Sequence, residues 1–137
     1  MRAANKSFPY GVIVDRTVVR PADEVLTFMQ GKNFEPDRLV VFDAESIGLK
    51  ESEGGAGELK ADLSVLRYEA EEIVIRVRTN RASYLVLSEI FYPGWRAEAN
   101  GRRIPIYRGN YVFRVLPLQQ GERKSDSSLF HGPFGSA

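Results

Sequence analysis

The residues whose types and spacing could do chemistry cluster between positions 91 and 114. Arg96, Arg102, Arg103, Arg108 and Arg114 stand there against a single acid, Glu98, giving a local charge of +4 in a chain of formal net charge +1. Tyr92, Trp95, Tyr107 and Tyr111 are interleaved with them. A guanidinium grips carboxylate or phosphate at two points, and an aromatic face stacks on a sugar or a base. The candidate ligand-contacting set is therefore Tyr92, Trp95, Arg96, Arg103, Tyr107, Arg108, Asn110 and Tyr111. The same pattern also describes a hairpin with core aromatics and a solvated arginine face, and both readings stand at this point.

Other chemistry finds few residues to work with. The one histidine, His131, sits in a terminal stretch that would hold a general base poorly, so a Ser-His-Asp arrangement is not expected. Zinc sites need several His or Cys ligands, and the chain has no cysteine. Gly54-Gly55-Ala56-Gly57 lacks the Lys-Ser/Thr and the following helix of a phosphate loop. The segment around it also lacks the ligand alternation of a calcium loop. Glu89 lies in an apolar run, where burial would raise its pKa unless an arginine compensates. Pairing with a nearby arginine is the expectation there, because a glycosidase needs a second acid at a fixed distance. No catalytic group, metal or cofactor is expected.

These residues must be positioned by strands. Tyr10 to Arg20 is dense in β-branched residues and split by Asp15-Arg16, an interrupted strand. Pro21, the acids Asp23 and Glu24, one apolar face (Val25, Leu26, Met29) and Gly31 predict a short helix over about 22–30. Arg38 to Phe42 reads as a strand, and the glycine-rich stretch 46–57 as a mobile loop. Asp62 to Glu69, the alternating Glu71 to Thr79 and the apolar Tyr84 to Phe91 read as strands, with a turn at Asn80 to Ser83. Pro93-Gly94 marks a turn or bulge. Trp95 to Ala99, a hairpin turn at Asn100-Gly101, a return over Arg103 to Tyr107, a turn at Arg108 to Asn110 and a strand over Tyr111 to Leu116 complete the pattern.

Short strands about 8–12 residues apart predict a mainly β fold: an antiparallel β-sandwich-like domain with one short N-terminal helix, which could cap an open end. A length of 137 residues suits one domain, placed over 8–121, with a loose or non-native tail over 122–137. An apolar fraction of 43% and a charged fraction of 27% are those of an ordinary folded protein. Near-neutrality argues against a whole-surface nucleic-acid or membrane binder. No run reaches the roughly 18–20 apolar residues of a membrane span. The first residues lack the apolar run of a signal peptide, so the chain itself is expected to be soluble.

Tyr84-Leu-Val-Leu-Ser-Glu-Ile-Phe-Tyr-Pro-Gly-Trp95, then Asn100-Gly101, then Ile104-Pro-Ile-Tyr-Arg-Gly-Asn-Tyr-Val-Phe-Arg114, resembles the C-terminal region of the YfhO family of large bacterial membrane proteins. Pro21-Ala22-Asp23-Glu24, Phe34-Glu35-Pro36 and Val40-Val41-Phe42 resemble it more loosely, so that the likeness covers roughly residues 8–121. The resemblance implies a soluble domain on the extracytoplasmic side of a bacterial membrane. It would belong to a glycosyltransferase-like parent whose chemistry resides in a membrane portion. It implies no site residues. The family continues beyond the equivalent of Glu122 with another alternating strand, where this chain has Arg123-Lys-Ser-Asp-Ser-Ser. A lost terminal strand, and self-association through the open sheet edge, are the expectation.

Three functions remain in view. One is an accessory domain contacting a glycan, a lipid-linked phosphate or a membrane-embedded parent. The others are a stand-alone carbohydrate- or anion-binding module and a single-stranded nucleic-acid binder. The absence of an RNA-binding signature speaks against the last.

Overall fold

The computed structural model describes residues 2–3, 7–8, 10–45, 50–69, 72–90, 95–99, 101–119 and 127–131. The chain begins with β1 (Arg2–Ala3), β2 (Ser7–Phe8), β3 (Gly11–Val14) and β4 (Arg16–Arg20). A 3-10 turn (Ala22–Glu24) runs into the helix α1 (Val25–Met29), followed by β5 (Leu39–Asp43). Then come β6 (Ala61–Tyr68), β7 (Glu72–Thr79), β8 (Ser83–Ile90), β9 (Arg96–Ala99) and β10 (Arg102–Ile104). The last three are β11 (Tyr107–Gly109), β12 (Phe113–Leu118) and β13 (Ser127–His131).

Two largely antiparallel sheets form the expected sandwich. One is six-stranded, in the order β1-β6-β7-β13-β9-β10, and the other five-stranded, β11-β12-β8-β3-β2. Alternation builds the core between them. Leu63, Ile73, Ile75, Val77 and Ala97 from the first sheet meet Ile13, Leu85, Leu87, Leu116 and Leu118 from the second, all buried. Burying each large aliphatic side chain contributes about 1.5–3 kcal/mol. The β9–β10 hairpin turns in two residues, since Arg102 pairs with Ala99, and Gly101 supplies the required positive φ of 80°.

The interrupted strand at Asp15 is a change of layer. β3 pairs with β8 in the sandwich, whereas β4 pairs in parallel with β5. Parallel pairing follows from the intervening helix, because a crossover returns the chain in the same direction. The β4–α1–β5 unit lies against the outer face of the five-stranded sheet, where Val40 and Phe42 pack with Val14, Val86 and Val115. The other face of the pair, Val18, Leu39 and Val41, packs on Val25, Phe28 and Met29 of the helix. Coverage on both faces explains the wholly apolar run Leu-Val-Val-Phe over 39–42. The helix thus covers the parallel pair instead of capping an end of the sandwich.

Three expectations are corrected. The tail does not stay loose over 127–131: β13 lies antiparallel to both β7 and β9 and joins them into one sheet. A strand is thus present in the stretch where none was expected, and it fills the gap between β7 and β9. A five-residue strand paired on both sides gains its ladder bonds without needing a strong sequence pattern, which is why composition concealed it. The return over Arg103 to Tyr107 is two short strands in different sheets. Pro105, which lacks an N–H, marks the crossing.

The glycine-rich stretch, so far as residues 50–58 are described, is tied down. Thr17 and Ser52 exchange backbone hydrogen bonds of 2.9 and 3.1 Å, and the Thr17 hydroxyl donates to the Lys50 carbonyl at 2.6 Å. Arg81 pairs with Asp15 at 2.9 Å, both side chains mostly buried, and donates to the carbonyls of Ala56, Gly57 and Glu58. Gly54 and Gly55 are small because a Cβ would meet Asp15 and Arg81 at 2.7 and 2.9 Å. Arg81→Ala removes the ion pair and three carbonyl partners, and is expected to cost about 1–3 kcal/mol in denaturant unfolding. Faster proteolytic nicking near Gly54 should accompany it. Unchanged stability and nicking would show that the loop holds itself.

Candidate functional site

The sequence-predicted residues do not form one surface. Trp95 is half-buried against the sandwich core, with the guanidinium of buried Arg114 over its ring at 4.1 Å. A desolvated contact of this kind stabilises by about 2 kcal/mol. Arg114 is therefore an interior cation, and the local charge of +4 overstates what the surface carries. The indole N–H of Trp95 is buried with no partner among the described residues. Arg96 and Arg103 lie on β9 and the edge strand β10, where Arg103 stands opposite Glu98. An edge strand carrying Arg102 and Arg103 is protected against pairing with another sheet. Tyr92 lies outside the described residues, and so does the Pro93-Gly94 turn. The side chain of Glu89 also falls outside them.

Tyr107 packs on the other side of the five-stranded sheet. Its ring meets Phe42 edge-on at 6.0 Å, and Tyr84 meets Phe42 at 5.4 Å. Burial, aided by the neighbouring Tyr107, raises the Tyr84 phenol above its ordinary value. Tyr107 is thus committed largely to packing.

Asn110 is a structural pin. It is buried, its Oδ1 accepts from the Val41 N–H at 2.9 Å, and its own N–H donates to the Val41 carbonyl at 2.8 Å. It thereby closes the free edge of β5 as a strand residue would. Asn110 and the next residue, Tyr111, both have positive φ, 47° and 74°. Asn tolerates that region; a tyrosine there is strained and persists only where its surroundings over-determine it. Gly109 precedes them because a Cβ would meet Val115 and Val40 at 2.6 and 2.7 Å.

The strained turn projects two of the predicted residues into a common cavity. Arg108 and Tyr111 line a pocket of about 290 Å³ together with Ala22, Val25, Val41, Asp43 and Val112. Tyr111 remains 49% exposed, an unusual state for so large a ring beside an apolar wall. Arg108 reaches Asp43 at 3.7 Å, and its side chain is 56% exposed against 17% for Asp43. That distance is beyond hydrogen-bonding range, so the guanidinium keeps its donors for another acceptor. Asp43 also accepts from the Glu45 N–H at 3.0 Å, which fixes its carboxylate. Ala22 follows the end of β4 and Asp43 ends β5, so the cavity lies at the carboxyl ends of two parallel strands. Ligands of α/β sheets favour that position.

Arg108 and Tyr111 are thus brought together. Trp95, Arg96 and Arg103 belong to the six-stranded side, while Tyr107 and Asn110 serve packing and the turn. Sequence reasoning missed Asp43, Ala22, Val25, Val41 and Val112. Asp43 had one signal: an acid directly after an all-apolar strand. Among the described residues, no group of three or more His, Asp or Glu is placed to hold a metal ion. Compared with protein-family models, with curated proteins and with solved structures, the chain matches none of them.

Proposed function

We propose that this chain is a non-catalytic binding domain whose ligand contact is the Arg108–Tyr111 pocket, serving as the accessory part of a glycosyltransferase-like membrane protein. The observation that carries the binding reading is Tyr111. It is an exposed ring held at positive φ, beside an under-used guanidinium, over a concavity of mixed polar and apolar lining. Ligand sites are concave, mostly apolar, and carry a few placed polar groups. The accessory role and an extracytoplasmic position draw on the ordered resemblance over residues 84–114. No helix among the described residues is long and apolar enough to cross a membrane. The nucleic-acid reading loses support, because Trp95 and Tyr107 are packed and do not form a row of stacking platforms.

The test is a heteronuclear NMR titration of the 137-residue chain with methyl glycosides, lipid-phosphate vesicles and oligonucleotides. Shifts clustered on residues 22–25, 41–43 and 108–112, and lost in Tyr111→Ala with the remaining spectrum intact, support the reading. Shifts on Arg96 and Arg103 with oligonucleotide alone would replace it with the nucleic-acid reading. No response to any class would remove the pocket as a contact surface.

A further inference from the structure

The geometry points to a single neutral sugar ring as the ligand of the Arg108–Tyr111 pocket, in preference to a phosphate. This deepens the binding reading above and rests on it. Three observations carry it: what the charged pair can accept, what the walls offer, and how much room there is.

Charge comes first. A phosphate site concentrates donors: several cations, or one cation with a run of backbone N–H groups. Among the described residues the one cation lining the pocket, Arg108, lies 3.7 Å from the Asp43 carboxylate, which lines the same cavity. The pair is neutral overall, and Asp43 repels a phosphate brought to Arg108. A sugar hydroxyl both donates and accepts. A guanidinium beside a carboxylate offers it a donor and an acceptor at once, and adjacent hydroxyls on a ring can engage both.

The walls come second. Ala22 and Val112 supply apolar surface above the buried Val25 and Val41, and Tyr111 supplies an aromatic ring half open to solvent. A pyranose has a face of C–H groups that stacks on an aromatic ring and a rim of hydroxyls that needs polar partners. A phosphate has no apolar face and would leave the exposed ring of Tyr111 without a role. The third point is size. About 290 Å³ lies at the lower limit of ligand pockets, about 300–1,000 Å³. That admits one ring and leaves the rest of a longer glycan outside.

The experiment measures binding of methyl glycosides of neutral hexoses, of sugar 1-phosphates and of inorganic phosphate by saturation-transfer NMR, at low and high salt. The expected result is saturable binding of at least one neutral glycoside, insensitive to salt because no charge is neutralised. Tyr111→Ala should weaken it about tenfold or more, as loss of a central aromatic contact does. Tyr111→Phe should keep the ring and most of the affinity. Asp43→Asn should shift preference towards the sugar phosphate by removing the repulsion. Salt-sensitive binding of phosphate in preference to neutral sugar, lost in Arg108→Ala, would overturn the sugar assignment and keep the pocket as a ligand site. Binding of neither class by a chain whose spectrum shows it folded would overturn both.

Discussion

Asn110→Ala is expected to lower the unfolding free energy by about 2–4 kcal/mol, measured by denaturant titration. Two costs combine. The Val41 N–H loses its acceptor in a place where water cannot replace it, since Val41 is fully buried and Asn110 nearly so. An unpaired buried donor costs about 1–3 kcal/mol. Alanine must also adopt φ near 47° without the side-chain hydrogen bonding that makes Asn tolerant there. Asn110→Gly separates the two, because glycine accepts the backbone but supplies no Oδ1. It should recover the conformational part and keep the hydrogen-bond loss. The consequence reaches the pocket: the Oδ1 half of the pin that holds Tyr111 at φ 74° is gone and only the backbone N–H to the Val41 carbonyl remains, so Asn110→Gly should blunt the ligand response although Asn110 does not line the pocket. A loss below about 0.5 kcal/mol in Asn110→Ala, the range of ordinary surface changes, would mean that the turn is held elsewhere.

How far such a site is legible from sequence depends on the range of the contacts that make it. The sandwich was legible, because alternation along residues 72–79 and the apolar run at 84–87 record which face is buried. The helix was legible from Pro21, the two acids and Gly31, all local signals. Parallel pairing of β4 and β5 was not read, although β4, helix and β5 in succession are the signature of such a unit. The strands are only five residues each and the helix brief, so the periodic signal of the unit is weak. The pocket was half legible. Arg108 and Tyr111 stood out by type, while Asp43 is 65 positions away from Arg108, and only the fold brings the two together. Asn110 was misread because an amide looks the same in sequence whether it faces a ligand or the Val41 backbone. Arg114 was misread because its neighbours Phe113 and Val115 are apolar, and alternation sets it on the opposite face of the strand, which here is also buried.

Phe42→Ala tests whether the β4–α1–β5 layer is held to the sandwich as the packing implies. Phe42 is fully buried between the layers, edge-on to both Tyr84 and Tyr107, with Val40 beside it and Gly109 beneath its ring. The expected loss is about 3–5 kcal/mol, the range for removing a buried aromatic ring. That is a large part of the roughly 5–15 kcal/mol by which a domain is stable. Phe42→Leu leaves a smaller cavity and should cost less while keeping the chain folded. Tyr84 provides a local readout in that milder variant. Its phenol is raised chiefly by burial, so a loosened layer admits water and its titration should move back down towards about 10. The sign is decisive, because a stability change located elsewhere in the sandwich leaves the Tyr84 phenol where it is. If Phe42→Leu lowers stability without moving Tyr84, the layer does not loosen at this seam. If both move, Phe42 is the contact through which the sandwich supports Asp43, and a variant 19 residues before Ala61, where the nearest sandwich strand in sequence begins, becomes a control on the pocket. Asp43 follows Phe42 directly on β5, so a shift of that strand displaces the carboxylate that sets the ligand preference. Phe42→Leu should then weaken sugar binding without removing a single pocket group, whereas Tyr111→Ala removes one without touching stability to a comparable degree.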